Sequence, residues 1–200
     1  MDGRWLRTRW SWIDCSVLTA KRLTGLLVAL QTVVLALMGR RWWCKCDQFF
    51  LWAGATGSHN SQHLGDAYSG SHVQHGLLFY LLAWKFFPKR SWWWRLNAAL
   101  GLEIVWEIWE NTPFIIDRYR QDTVSLDYVG DSILNSLGDV ASCALGFLMA
   151  GSFPVALSVL LYLGIELTML LTIRDSLTLN VIMLIAPNQT IKAWQHGPSS

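Results

Sequence analysis

The residues best suited to chemistry recur in this sequence at helical spacing. His72 and His75 are three apart, which sets them about 60° apart on a helix. Glu103, Glu107 and Glu110 stand at i, i+4 and i+7, so all three share one face. Asp131, Asn135 and Asp139 repeat at four-residue steps, and Glu166 lies inside a later apolar run. Histidine with carboxylate is a ligand set for zinc, or for iron or manganese where carboxylates predominate. A divalent metal ion held there would lower the pKa of a bound water and create a nucleophile. On this reading Glu103, Glu107, Asp131 and Asp139 are catalytic candidates, and His72 and His75 are metal ligands. His63, Asn135, Glu110 and Glu166 are candidates for binding a substrate or ligand. Other readings stand beside this one. The histidines can cap a helix start, and the carboxylate face can line a path for ions or protons. It can also join helices through hydrogen bonds to Asn135, Ser136 and Ser142. No His-Glu-x-x-His motif is present, and no Gly-x-Ser-x-Gly turn surrounds Ser132 or Ser136.

The elements that must position these groups are apolar. Charged residues make up 15% of the 200-residue chain, against about 25% in soluble proteins. Thirteen tryptophans accompany the apolar runs, and tryptophan settles at membrane interfaces. The net charge of +2 comes from basic residues clustered beside apolar segments. That pattern sets membrane topology and does not suit nucleic acid. The expected fold is therefore all-α: a polytopic transmembrane helix bundle of about five spans in a single membrane domain, with the lipid bilayer as partner. The spans are 23–38, 71–87, 92–110, 133–150 and 154–173, each close to the roughly 20 residues that cross the hydrocarbon. The run 177–186 is too short to cross and is expected to be interfacial or re-entrant. Residues 1–22 form a basic arm, read with the first span as an uncleaved anchor.

Lysine and arginine near the spans set the orientation. Arg4, Arg7, Arg9, Lys21 and Arg22 fall on one side with Lys85, Lys89, Arg90 and Arg95. Arg40, Arg41, Lys45, Arg118, Arg120, Arg174 and Lys192 fall on the other. The bias and the dominant arm place the N-terminus in the cytoplasm, with segments 39–70 and 111–132 outside. The polar ends of the last four spans then share the outer side. At about 1.5 Å per residue, Glu103, Asp139 and Glu166 share an inner layer. His72, His75, Glu107, Glu110, Asp131 and Asn135 form an outer one. His59, His63 and Asp66 precede the second span and could complete a site on the helix ends. Arg174, Asp175 and Asn180 could bring a cation to it. Cys44 and Cys46 are the only close cysteine pair; packing beside Trp42 and Trp43 is favoured for them over a metal or a strained disulfide.

Several longer stretches carry a resemblance. They are Asn60 to Leu64, Ser71 to Gly76, Glu103 to Glu107 with Glu110 to Pro113, Asp127 to Ser136 ending at Asp139, and Arg174 to Asn180. Together they resemble the bacterial inner-membrane family catalogued as domain of unknown function 2585, or uncharacterised protein family 0314, from about Trp43 to Trp194. The resemblance implies a multi-pass protein of the bacterial cell inner membrane and carries no assigned activity. A weaker similarity is to VanZ-like membrane proteins. It rests on His75, Glu107 and Asp131-x-x-x-Asn135-x-x-Gly138, with His72 and Glu110 as departures. The first expectation for function is a membrane-embedded enzyme or binding protein for lipid-linked or envelope substrates. The alternatives are a proton- or cation-coupled transporter and a non-catalytic scaffold.

Overall fold

The structure, a computed structural model, describes residues 16–197; Arg4, Arg7 and Arg9 of the basic arm lie outside them. The described residues form eight helices and no strand. They are α1 (Ser16–Leu37), α2 (Ser69–Phe86), α3 (Trp92–Glu110), α4 (Pro113–Asp122), α5 (Ile133–Ser152), α6 (Val155–Ile173), α7 (Leu177–Ile185) and α8 (Gln189–His196). Three of them are long and apolar enough to cross a membrane: the α1 stretch Val17–Leu37, α5 and α6. Helices α2 and α3 have 18 and 19 residues, a length of about 27 Å at 1.5 Å per residue. Their histidines, glutamates and Arg95 lower the average hydropathy that marks a span.

Start signals explain several boundaries. The Ser91 hydroxyl accepts the Trp94 N–H at 3.1 Å and caps α3. Ser132 does the same for α5 through the Asn135 N–H. Two further orphan N–H groups of α5, on Ile133 and Leu134, donate to the Arg41 and Trp42 carbonyls at 2.8 and 3.1 Å. The segment after α1 is thereby fixed to the start of α5. The stretch expected as a loop at 111–132 contains α4. Pro113 opens that helix, where its missing N–H costs nothing. Ile115, Ile116 and Tyr119 form its buried face. The acidic and basic residues between them hid this short amphipathic pattern. Helix α8 was also unforeseen; Asn188 caps it by accepting from the Thr190 and Ile191 N–H groups.

Helix α5 lies at the centre, 56% buried across its apolar window, while α1 and α6 are 11% and 6% buried. The last two thus turn apolar surface outward. Helices α2 and α5 approach closely because each offers glycine. A Cβ at Gly76 would meet the Cys143 carbonyl and the Phe147 N, and one at Gly146 would meet the Val73 carbonyl. Such small-residue contact lets helix backbones pack at short range. Beneath it lies a core of Leu77, Tyr80, Leu96, Leu100, Ile104, Val140 and Phe147. Helix α1 joins α3 through the Thr24 hydroxyl, which donates to Asn97 at 3.0 Å. Lys21 lies over the Trp93 ring and Arg90 over Trp94, so basic and aromatic residues gather at this end of the bundle.

Candidate functional site

The opposite end is polar. Helix α2 carries His72 and His75 on its first two turns, α3 brings Glu103 and Glu107 from its last turns, and α5 brings Asp139. The His72 Nδ1 lies 2.5 Å from one Glu103 oxygen, and the His75 Nδ1 lies 2.9 Å from the other. An ionised carboxylate only accepts, so both rings donate from Nδ1. One glutamate therefore orients two imidazoles and leaves the Nε2 lone pair of each available. Asp139 lies 3.9 Å from the His72 Nε2 and accepts from the Ser69 hydroxyl at 3.2 Å. Glu107 is fully buried 3.3 Å from the His72 Nδ1, whose single proton goes to Glu103. Neither Glu107 oxygen has a hydrogen-bond partner, and neither side-chain polar atom of Asn135 has one. A buried carboxyl left this way is costly to ionise unless a cation or ligand meets it.

A cavity of about 50 Å³ opens beside this group, room for a few waters or a small ion. His72, His75, Glu110, Asp131 and Asp139 line it, with Asn60, Ser61 and Asp66 as its roof. Trp106, Leu177, Val181 and Leu184 give it one apolar wall. No lysine or arginine is among its described lining residues. Liganding atoms of His72, Glu107 and Asp139 lie within 4.8 Å of one another. So do those of His72, His75 and Glu103, and those of Glu107, Glu110 and Asp131.

The rim is ordered by its own hydrogen bonds. Asp131 accepts from the Asn111 amide at 2.7 Å and the Tyr128 hydroxyl at 2.9 Å, and its N–H donates to the Asn111 side chain. Burial pushes its carboxyl up to about 6 against the lowering effect of those bonds. Asp66 accepts from the N–H groups of Ser61 and Tyr68; burial raises its carboxyl too. The roof is tied to α5: the Ser132 N–H donates to the Ser61 carbonyl, and the Gln62 amide to the Gly130 carbonyl. Gly138 permits this approach, because a Cβ there would meet the Leu64 carbonyl. At the far side Asp175 accepts from Ser176 N–H, Tyr68, Asn180 and Gln195. Burial raises it to about 6.

Of the residues singled out in the sequence, His72, His75, Glu103, Glu107 and Asp139 meet directly, and Glu110 and Asp131 join them at the mouth. Asn135 is buried between Asp131 and Asp139 along α5. Glu166 lies elsewhere: it accepts from the Gln74 amide and the Thr178 N–H, joining α6 to α2 and α7. His63 is also absent from the cavity and contacts His59 instead. Arg174 turns outward to the Trp194 carbonyl and brings no cation. Asn111, Tyr119 and Tyr128 were missed. Asn111 follows Glu107 by four residues, a spacing that could have placed it on the same face.

Fold and site together define a class: a helical protein with membrane-length apolar helices and a buried histidine–carboxylate cavity at one end. Residues 35–197 match the family described as "Protein of unknown function (DUF2585)", and the chain belongs to that family. It is 49% identical to a UPF0314 protein of Rhizobium meliloti (strain 1021), over 86% of this chain and 87% of that one. A UPF0314 protein of Sinorhizobium fredii is 45% identical over 98% and 96% of the two chains. No solved structure matches the chain.

Proposed function

We propose that this chain is a five-span protein of the bacterial inner membrane, its N-terminus cytoplasmic, that binds a divalent cation in an outward-facing cavity. The cation serves a membrane-embedded enzyme for lipid-linked or envelope substrates. The observation that carries the reading is Glu107, a buried carboxylate without a donor. Its oxygen lies within 4.8 Å of ligand atoms of His72 and Asp139, two residues that line a cavity with no lysine or arginine among its described lining residues. His72, Glu107 and Asp139 would hold the ion. Glu103 would orient His72 and His75, as carboxylates commonly do for metal-bound imidazoles. A bound cation supplies an activated water or a polarised substrate oxygen. His75 and Asp131, both on the cavity wall, are placed to move a proton there. The polar floor and the apolar wall of Trp106, Leu177, Val181 and Leu184 suit a substrate with a charged headgroup and an apolar tail. Helices α2 and α3 count as spans on this reading because their polar ends face the cavity and their other ends face lipid.

A transporter needs a polar path across the bundle. The apolar core of Leu77, Leu100, Ile104 and Phe147 lies directly below the site, which favours a site closed on its inner side. Manganese(II) titration of the full-length protein in detergent, followed by electron paramagnetic resonance, tests the proposal. Hard manganese(II) prefers oxygen and imidazole over thiolate. One bound ion per chain, lost in Glu107→Gln and His72→Ala, is the expected result. Binding that survives both substitutions, or no binding at all, overturns it.

A further inference from the structure

His63, expected in the cavity, belongs to a second cluster. Cys44 and Cys46 come from the turn after α1, and His59 and His63 from the loop before α2. One ligand atom from each of the four lies within 4.8 Å of the others. The Cys44 and Cys46 sulfurs are 3.6 and 3.9 Å from the His59 Nδ1, which is 3.0 Å from the His63 Nε2. A tetrahedral zinc ion with Zn–S of about 2.3 Å and Zn–N of about 2.05 Å sets S···N edges of about 3.6 Å and an N···N edge of about 3.3 Å. The three edges that meet at the His59 Nδ1 already lie within about 0.3 Å of those lengths, and the other three are no longer than 4.8 Å. The order Cys44-x-Cys46-x12-His59-x3-His63 also follows a Cys₂His₂ finger in its last two gaps, with a first gap shorter than usual.

We infer that Cys44, Cys46, His59 and His63 form a structural zinc site that holds the roof of the cavity in place. The surroundings are built for it. The Cys46 N–H points at the Cys44 sulfur at 3.3 Å, and a backbone donor of this kind stabilises a thiolate ligand. The Phe50 ring packs against both imidazoles, and the two imidazoles stack 5.2 Å apart. Residues 60 and 61, which line the cavity, lie between the two histidine ligands. The site joins their loop to the segment whose Arg41 and Trp42 carbonyls cap α5. Zinc would thus lock two segments across the outer end of α5. Two hydrogen bonds must change on binding, since ligation also replaces the proton between the His63 Nε2 and the His59 Nδ1. The Phe50 N–H donates to the His63 Nδ1 at 3.3 Å, which places that ring's proton on Nε2. Ligation through Nε2 moves the proton to Nδ1 and opens the Phe50 contact.

This site shares no residue with the proposed cation site in the cavity, and cobalt(II) separates the two. Full-length protein, purified in mild detergent under reducing conditions and stripped of metal, is titrated with cobalt(II) and then zinc. The expected result is a thiolate-to-cobalt charge-transfer band with tetrahedral d–d absorption, saturating at one ion per chain and abolished by zinc. Cys46→Ser and His59→Ala alter the more exposed ligands and so disturb the fold least. Each should weaken zinc binding by roughly 100-fold or more while manganese(II) binding in the cavity persists. Cys143→Ser, in the apolar core, should leave the band unchanged. The amide proton of Phe50 should exchange faster with zinc bound. A cobalt spectrum without the charge-transfer band overturns the inference. So does a band that survives Cys46→Ser, or a Cys44–Cys46 disulfide found by mass spectrometry in protein isolated without oxidant.

Discussion

The two ends of the α2–α3–α5 core are packed by opposite rules. At one end Leu77, Tyr80, Leu96, Leu100 and Phe147 interlock, and glycines let helix backbones touch. At the other end the same three helices bury His72, Glu103, Glu107, Asn135 and Asp139, two of which carry polar atoms with no partner. A few turns further on, the same helices bury few such groups, Arg95 and Asn97 of α3 being the exceptions. Buried carboxylates without cations oppose stability. They gather around one cavity and not along the outward-facing sides of α1 and α6, which makes this end of the bundle the candidate site.

The division can be broken most severely at the apolar end. Leucine at Gly76 would drive side-chain atoms into the α5 backbone at Cys143 and Phe147. Overpacking of this kind costs about 3 kcal/mol or more when no flexible side chain can yield. Gly76→Leu should therefore lose its cooperative thermal transition in detergent. Gly101→Ala, with nothing within 4 Å of the new Cβ, should keep it. An unchanged melting profile for Gly76→Leu would show that the helices do not approach as described.

At the polar end the expected effect has the other sign. Glu107→Gln should lower manganese(II) affinity by roughly 100-fold without lowering the melting temperature, because the carboxyl it replaces has no hydrogen-bond partner to lose. A drop in stability comparable to that of Gly76→Leu would make Glu107 a structural residue and dissolve the contrast between the two ends.

The rim should respond to pH. The Asp175 carboxyl, raised by burial from 3.8 to about 6, binds a proton more tightly in the folded chain than in the unfolded one. Its contribution to stability is fully present below the unfolded pKa and is lost as pH rises through about 6, on the order of 3 kcal/mol in all. Thermal melts from pH 4 to pH 8 should show this slope, and Asp175→Asn should make it shallower, with Asp131 supplying part of what remains. A slope unchanged in Asp175→Asn assigns the titration elsewhere. The smallest effect is local: Ser91→Ala removes the cap that accepts from Trp94 and should cost about 1 kcal/mol, with manganese(II) binding unaffected.

Much of this contrast was legible in the sequence, because helical spacing fixes which side chains share a face. The step from Glu103 to Glu107 and the step from Asp131 to Asp139 predicted lines of carboxylates, and those lines do converge on His72. Depth along a helix could be read as well, but rotation about its axis could not. Glu166 lies at the expected height yet turns toward Gln74 and Thr178. His63 was assigned to the wrong cluster because a loop has no period from which to read direction. The Cys44 and Cys46 pair was judged without its later partners. The spacing of twelve residues between Cys46 and His59 becomes meaningful only when Ala53 and Leu64 bond to Gly65 and Phe50 and close the loop. Helix α4 escaped because its ten residues mix ionic and apolar positions.

The position of a bound cation decides whether the polar end is a site. Crystals of the full-length protein grown with manganese(II), with diffraction recorded at the manganese absorption edge, would place the ion by its anomalous scattering. One strong peak within bonding distance of His72, Glu107 and Asp139, with Glu103 behind the imidazoles, is the predicted result. A cavity with no peak, while manganese is bound elsewhere on the chain, would contradict it.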